Sequence, residues 1–284
     1  MTDAPSSWSR GAAAPALSTL DIEFTELSDV GRVRGHNEDY YGHAEPENAA
    51  RARTHGWLFA VADGVGGHDF GEVASKEAIE QMIAGFRSAP ASEPMAALLT
   101  RIAQKANQSI YELGKAARPG GAAMATTLVA CALRHQSAVV AHVGDSRCYL
   151  IRGGEARILT RDHTVAGEQV RMGLATAAET EQTVTRYLLS RSLGIEMFVN
   201  VDTSEHTVLS GDTLMLCSDG LHHSVQPADI AGIIGAREDL ASAARELVDL
   251  AKTRDGSDNI SVQLIRIRSV ERVGLYRGRP YALR

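Results

Sequence analysis

Four aspartates in this chain share an unusual setting. Asp63 ends the apolar run WLFAVAD and precedes Gly64-Val65-Gly66-Gly67; Asp145 follows AVVAHVG; Asp219 ends LMLCSD before Gly220; Asp258 sits in DGSDN, just ahead of NISVQLIRI. A carboxylate at the mouth of an apolar strand is costly to desolvate unless it is paired or bound to a metal. Glycine beside it lets the backbone approach a ligand and frees a carbonyl to coordinate. A set of oxygen ligands suits Mg²⁺ or Mn²⁺ rather than zinc. Singly, each aspartate reads as well as a turn former or a cap. The four together point to a divalent-cation site.

A second cluster, SDVGRVRGHNEDYY at 28–41, packs Arg34, His36, Asn37, Glu38 and Asp39 into six positions. Arginine offers a planar fork suited to two phosphate oxygens. Glu38 and Asp39 could hold waters that a metal carries. In isolation the segment reads as a solvated charged loop. Cys131, Cys148 and Cys217 lack the CxxxxxR phosphate loop of a cysteine phosphatase, and each sits in an apolar run as a small buried hydrophobe.

The elements that must position these groups follow from periodicity. LDIEFTEL at 20–27 alternates as a strand, and WLFAVAD at 57–63 is a more buried one. A helix follows with Ile79, Met82, Ile83 and Phe86 on one face, then a second over about 93–115. Short β runs come next, TTLVACALR, SAVVAHVG, RCYLIRGG and EARILT, with a hairpin signal at Gly153-Gly154. A polar, helix-prone insert fills 163–190. Strands resume near 199–207 and at 212–219, a helix over 238–252 stripes Leu240, Ala244, Leu247 and Ala251, and NISVQLIRI closes the domain. Strands arrive as hairpins and helices in blocks, so the expected class is α+β with mainly antiparallel sheets.

No linker or internal repeat divides the interior, which makes 21–268 a single expected domain. Residues 1–20 lack the basic start and apolar block of a signal peptide and read as a flexible N-terminal tail. Residues 269–284, with Arg272, Arg277, Arg279 and Arg284, read as a basic, solvated C-terminal tail. The 284 residues carry 29 Lys+Arg against 35 Asp+Glu, a formal charge of −6, which argues against a nucleic-acid partner bound through a basic surface. With 44 % hydrophobic and 23 % charged residues, the chain is not disordered as a whole. No stretch approaches the ~18 apolar residues of a membrane span. Three scattered cysteines fit a reducing, cytoplasmic setting.

In chain order, RGHNED (34–39), VADGVGG (61–67), HVGDSR (142–147), LCSDGL (216–221) and GSDNISV (256–262) resemble the metal-dependent type 2C, or PPM, serine/threonine protein phosphatases, the bacterial single-domain branch above all. The resemblance covers about 22–268. It implies a four-layer α-β-β-α sandwich of two antiparallel sheets flanked by helices. It also implies two Mn²⁺ or Mg²⁺ ions: Asp63 bridging them with the Gly64 carbonyl on one, Asp219 and Asp258 completing the other. Asp39, with Glu38 beside it, would act mainly through water. Asp145 would help Asp219 hold a weaker third ion, Arg34 would clamp the substrate phosphate, and 163–190 would be the variable flap. A hydroxide between the ions would attack phosphorus directly.

Eukaryotic relatives place His two residues after the bridging aspartate; here Val65 stands there. Water, His36 or His163 could supply the leaving-group proton, and the choice stays open. His222-His223 as joint ligands is disfavoured because adjacent residues point differently. The implied partners are phosphorylated proteins, substrates of bacterial serine/threonine kinases, with the enzyme a monomer. Two alternatives stand beside this: a catalytically silent regulatory domain of the same fold, or a hydrolase of small phosphoesters.

Overall fold

The structure is a computed structural model and describes residues 20–65, 70–117, 124–180, 183–270, 273–276 and 279–282. The strands are β1 (Leu20–Asp29), β2 (Asp39–Ala44), β3 (Trp57–Asp63), β4 (Leu128–Arg134), β5 (Ser137–Val143), β6 (Arg147–Arg152), β7 (Glu155–Ile158), β8 (Asp202–Thr207), β9 (Thr213–Cys217), β10 (Ile260–Val270), β11 (Val273–Tyr276) and β12 (Arg279–Ala282). The helices are α1 (Ala49–Thr54), α2 (Gly71–Arg87), α3 (Met95–Ala116), α4 (Val165–Arg171), α5 (Ala177–Thr180), α6 (Asp219–His222), α7 (Pro227–Ala236) and α8 (Leu240–Arg254).

One five-stranded sheet runs β2-β3-β4-β5-β8 and the other β1-β10-β9-β6-β7, with every pairing antiparallel. Strand alternation assigns the layers. Along β3, Leu58, Ala60 and Ala62 pack with Ile79, Met82 and Phe86 of α2 and Leu98, Leu99 and Ile102 of α3. Phe59 and Val61 point the other way, into an inter-sheet core with Leu214, Leu216, Ile265 and Ile267. On the far face, Met215, Val262 and Leu264 pack against Ile230 and Ile234 of α7 and Leu240, Leu247 and Ala251 of α8. Three apolar interfaces thus glue four layers, the α-β-β-α sandwich expected. Both helical stripes lie on the faces expected for them, with Ile83 only half-buried at the edge of its cluster.

The structure adds and moves elements. β2 escapes the periodicity because Gly42 interrupts its six residues; a Cβ there would come within 2.9 Å of Ile79 and Ile83, so glycine admits α2 against the sheet. α7 begins with Pro227 at its first position and a capping box between Gln226 and Asp229. Strand β9 stops at Cys217, so Asp219 is not its last residue; Ser218 caps the single turn α6, which Asp219 opens. β10 continues to Val270, and the segment expected as a solvated tail pairs as the hairpin β11-β12, in keeping with its Val, Leu and Tyr content. Residues 1–19, most of the expected N-terminal tail, lie outside the described residues.

Antiparallel pairing decides where the chemistry falls. β2 begins at Asp39 directly opposite Asp63, where β3 ends. β10 begins at Ile260 beside the end of β9, and β5 ends at Val143 two residues before Asp145. All five aspartate-bearing segments therefore open at one end of the sandwich.

Candidate active site

The end of β3 is fixed from three sides. The Asp63 amide donates to Thr127 Oγ1 (3.0 Å), and the Asp63 carbonyl accepts from the Thr127 amide and Thr126 Oγ1 (2.8 Å each). Thr127 Oγ1 also meets Ser146 Oγ (2.7 Å), tying Asp63 to the loop that carries Asp145. Gly64 follows in a tight gap: a Cβ would lie 2.6 Å from the Gly71 backbone and 2.8 Å from the Glu38 carbonyl, so no side chain fits. Its amide donates to that carbonyl (3.1 Å).

Asp39 is buried where the two sheets meet. Its Oδ2 accepts from Ser218 Oγ (2.7 Å), and Ser218 Oγ accepts the Ser261 amide (2.9 Å), so one hydroxyl bridges both sheets. Burial pushes the Asp39 carboxyl up to about 7, with the Asp219 and Asp258 charges adding and the Ser261 and Ser218 hydrogen bonds opposing. Burial first, then the neighbouring aspartates, also raises Asp63 well above the carboxylate range. Asp145 is raised by burial, then by Asp219 and Asp162. Asp219 is raised by burial and Asp258, against the pull of His223 and Arg34. Asp39 Oδ1 and Asp219 Oδ1 are buried with no hydrogen-bond partner among the described residues. Converging carboxylates that repel one another and leave buried oxygens bare fit a divalent cation, whose charge and open coordination answer both costs.

A cleft of about 1230 Å³ opens here, lined by Arg34, Asp63, Gly64, Asp145, Asp219 and Asp258 among others. Arg34 donates to Asp258 Oδ2 (2.8 Å), and that hydrogen bond raises the guanidinium pKa further. The Glu38 carboxylate is bonded to His36 Nε2 (2.9 Å) and lies by Glu72. Its backbone also braces the site: the amide donates to Asn259 Oδ1 (2.8 Å) and the carbonyl holds Gly64 and Ser75.

The histidines sort themselves by position. Neither His36 nor His163 lines the cleft. His163 is buried, with Nδ1 accepting the Gly144 amide (3.1 Å) and Nε2 facing Asp202 (3.3 Å), which braces the loop before Asp145. His222 and His223 do diverge: His222 Nε2 bonds the Asp145 carbonyl (2.9 Å), while His223 Nδ1 faces Asp219 Oδ2 (3.5 Å). His223 lines the cleft and groups with Asp145 and Asp219. Sequence reasoning weighed His223 only as half of a disfavoured pair with His222, because the i, i+4 relation to Asp219 exists only once α6 is known. It missed Thr126-Thr127, whose apolar neighbours hid their polar role.

Fold and cleft define an α-β-β-α sandwich with a carboxylate-lined site suited to divalent cations at one end. The family profile described as Protein phosphatase 2C matches residues 26–260, and the chain belongs to that family. It is similar to the Serine/threonine phosphatase stp of Listeria innocua, 34 % identical over 241 residues, covering 84 % of this chain and 93 % of that protein. Among solved structures, the S. agalactiae serine/threonine phosphatase superposes with a TM-score of 0.78 at 30 % identity, covering 87 % of this chain and all of that one. The catalytic domain of serine threonine protein phosphatase PstP, solved with 2 manganese ions, gives 0.74 at 30 % identity over 88 % and 99 % of the two chains. The protein is a metal-dependent serine/threonine phosphatase. No helix of the described residues is long and apolar enough to cross a membrane.

Proposed function

We propose that the protein removes phosphate from phosphoserine and phosphothreonine of proteins phosphorylated by bacterial serine/threonine kinases, acting as a cytoplasmic monomer. The observation that carries this reading is the pair of bare, buried oxygens, Asp39 Oδ1 and Asp219 Oδ1, within a ring of five aspartates. Asp63, the Gly64 carbonyl, Asp219 and Asp258 would hold two Mn²⁺ or Mg²⁺ ions, with Asp39 acting through water. Asp145 and Asp219 would hold a weaker third ion, for which His223 is a further donor. When bound, such ions bring water into the reactive range at neutral pH and neutralise phosphoryl charge.

The chain's own groups do the rest. Arg34, held at the cleft by Asp258, would present its fork to two phosphate oxygens as the clamp and stabilise charge there as the bond to the serine or threonine oxygen lengthens. Thr127 and Ser218 keep Asp63 and Asp39 in register so that their oxygens converge. Glu38 would act through its backbone, by seating Gly64. Every carboxylate of the site is present, which disfavours the silent-domain alternative.

The test is turnover of p-nitrophenyl phosphate and of a phosphothreonine peptide with Mn²⁺, and its loss with EDTA; robust turnover in metal-free buffer overturns the reading. In the same assay, Arg34→Ala should raise KM for the peptide by about tenfold or more while kcat falls less, since it removes a charge-assisted contact. An unchanged KM would remove Arg34 from the clamp.

A further inference from the structure

The loop from Leu193 to Val199 is held by another element rather than by its own side chains. Leu193 is buried in the helix-side core, and its amide and carbonyl pair with Thr126. Gly194 takes φ +90, and a Cβ there would lie 2.3 Å from the Met124 carbonyl. Two side-chain amides of α3 hold four further backbone groups. Asn107, fully buried, accepts the Gly194 amide (2.8 Å) and donates to the Glu196 and Met197 carbonyls (2.9 and 3.1 Å). Gln104 donates to the Met197 carbonyl (3.0 Å) and accepts the Val199 amide (3.1 Å).

A backbone pinned at this many points could have turned its large apolar groups inward. Instead Ile195, Met197 and Phe198 are 45, 47 and 73 % exposed. On the flap segment, Tyr187 and Leu188 are 55 and 58 % exposed. Tyr187, Leu188, Ile195 and Phe198 line the same cleft as Asp63 and Asp219. Exposed apolar side chains on a fixed backbone contribute little to folding, and several that line one cleft with a reactive centre are the mark of a surface kept for a ligand. The arginines of the cleft are meanwhile engaged: Arg34 with Asp258, Arg191 with Asp202, Arg254 with Asp229. Beside the polar Ser190, Ser192, Asn200 and Ser257, the rim therefore offers apolar contact as recognition beyond the phosphate.

We propose that this rim selects substrates by seating a large apolar side chain that flanks the phosphorylated serine or threonine in an extended segment of the phosphoprotein. The proposal rests on the phosphatase reading of the cleft. Phe198 and Ile195 form the fixed wall, and Tyr187 and Leu188 face the segment from the flap.

The test uses the full chain with Mn²⁺ and phosphothreonine peptides that differ only in Leu or Ser at positions flanking the phosphorylated residue, with p-nitrophenyl phosphate read in parallel. The Leu peptides should show kcat/KM about tenfold higher. Phe198→Ser should erase that preference through KM, Phe198→Leu should restore it, and p-nitrophenyl phosphate, which reads the phosphate centre alone, should stay within about twofold. Absence of any preference, or its survival in Phe198→Ser, overturns the proposal while p-nitrophenyl phosphate turnover still upholds the phosphatase. Equal losses on every substrate also overturn it, as does concentration-dependent dimerisation that Phe198→Ser abolishes without touching the preference.

Discussion

Asp63→Asn lowers kcat by about three orders of magnitude or more and at the same time raises the melting temperature of the metal-free protein. The first effect follows because Asp63 lies at the centre of the cluster, with Asp39, Asp219, Asp145 and Asp258 all acting on it. Losing its charge weakens cation binding, and several kcal/mol of transition-state stabilisation go with it. The second effect follows from the same proximity: without a cation, burial and four like-signed neighbours all disfavour the ionised carboxylate. Asparagine keeps the shape and removes the repulsion. Asp219→Asn should behave alike. Steady-state kinetics with Mn²⁺ and circular-dichroism melts in EDTA decide it. A variant that keeps wild-type kcat, or melts far below wild type in EDTA, refutes the assignment.

Mn²⁺ should stabilise the protein strongly, and by more as pH rises. Asp39 is held at about 7 when folded, against about 3.9 in an unfolded chain. A raised carboxyl contributes stability that is fully present below the unfolded value and is lost as pH rises through the folded one. For Asp39 alone the loss is on the order of 4 kcal/mol by the time pH has passed 7. Asp63, Asp145 and Asp219 are shifted in the same direction. Buried histidines work against this at lower pH: His163 is depressed to about 4, and His142 and His222 are also lowered, all by burial first. Their contribution grows as pH rises through the unfolded histidine value of about 6.5 and is complete about one unit above it. Between about 6.5 and 8 the loss from the aspartates outweighs the remainder of the histidine gain, and the metal-free protein should lose stability there. Saturating Mn²⁺ needs the carboxylates ionised, so it should remove that loss. At a hundredfold excess over Kd one ion adds about 2.7 kcal/mol, which for a domain of this size is about 5 to 10 °C in Tm. Melts at pH 6.5, 7.2 and 8.0, with EDTA and with Mn²⁺, provide the comparison. A metal-free Tm that climbs with pH over this range would falsify the charge-cluster account.

Much of the site was legible because its residues announce themselves locally. Asp63, Asp145 and Asp258 each stand beside glycine or a turn residue at a strand boundary, and the apolar runs that lead to them alternate or are continuous enough to read. Asp219 was found for the same reason, though it opens a helix and does not end a strand. The layers were legible too, since the stripes on α2 and α8 and the alternation along β3 record which face each element buries. What stayed hidden depends on contacts between segments far apart in the chain. Ser218 reads as an ordinary small residue until β10 brings Ser261 to it and β2 brings Asp39. Glu38 reads as a holder of metal-bound water, and the structure adds contacts the sequence does not show, with His36 on its carboxylate and Gly64 on its carbonyl. Arg34 gains its place at the cleft from Asp258, 224 residues away.

The sequence by itself determined the class of chemistry and the order of its parts, because side-chain type and the local preferences of strand and turn are properties of short segments. Only the tertiary structure decided how the acids are used. Antiparallel pairing sets Asp39 opposite Asp63, the stacking of two sheets brings Asp219 and Asp258 to them, and Asn107 and Gln104 turn an unremarkable loop into an apolar wall. The physical reason is that burial, repulsion and exposure are set by the neighbours of a group in space. An aspartate with an ordinary pKa in an extended chain becomes a strongly perturbed acid, suited to a divalent cation, when folding removes its water and sets four like charges around it.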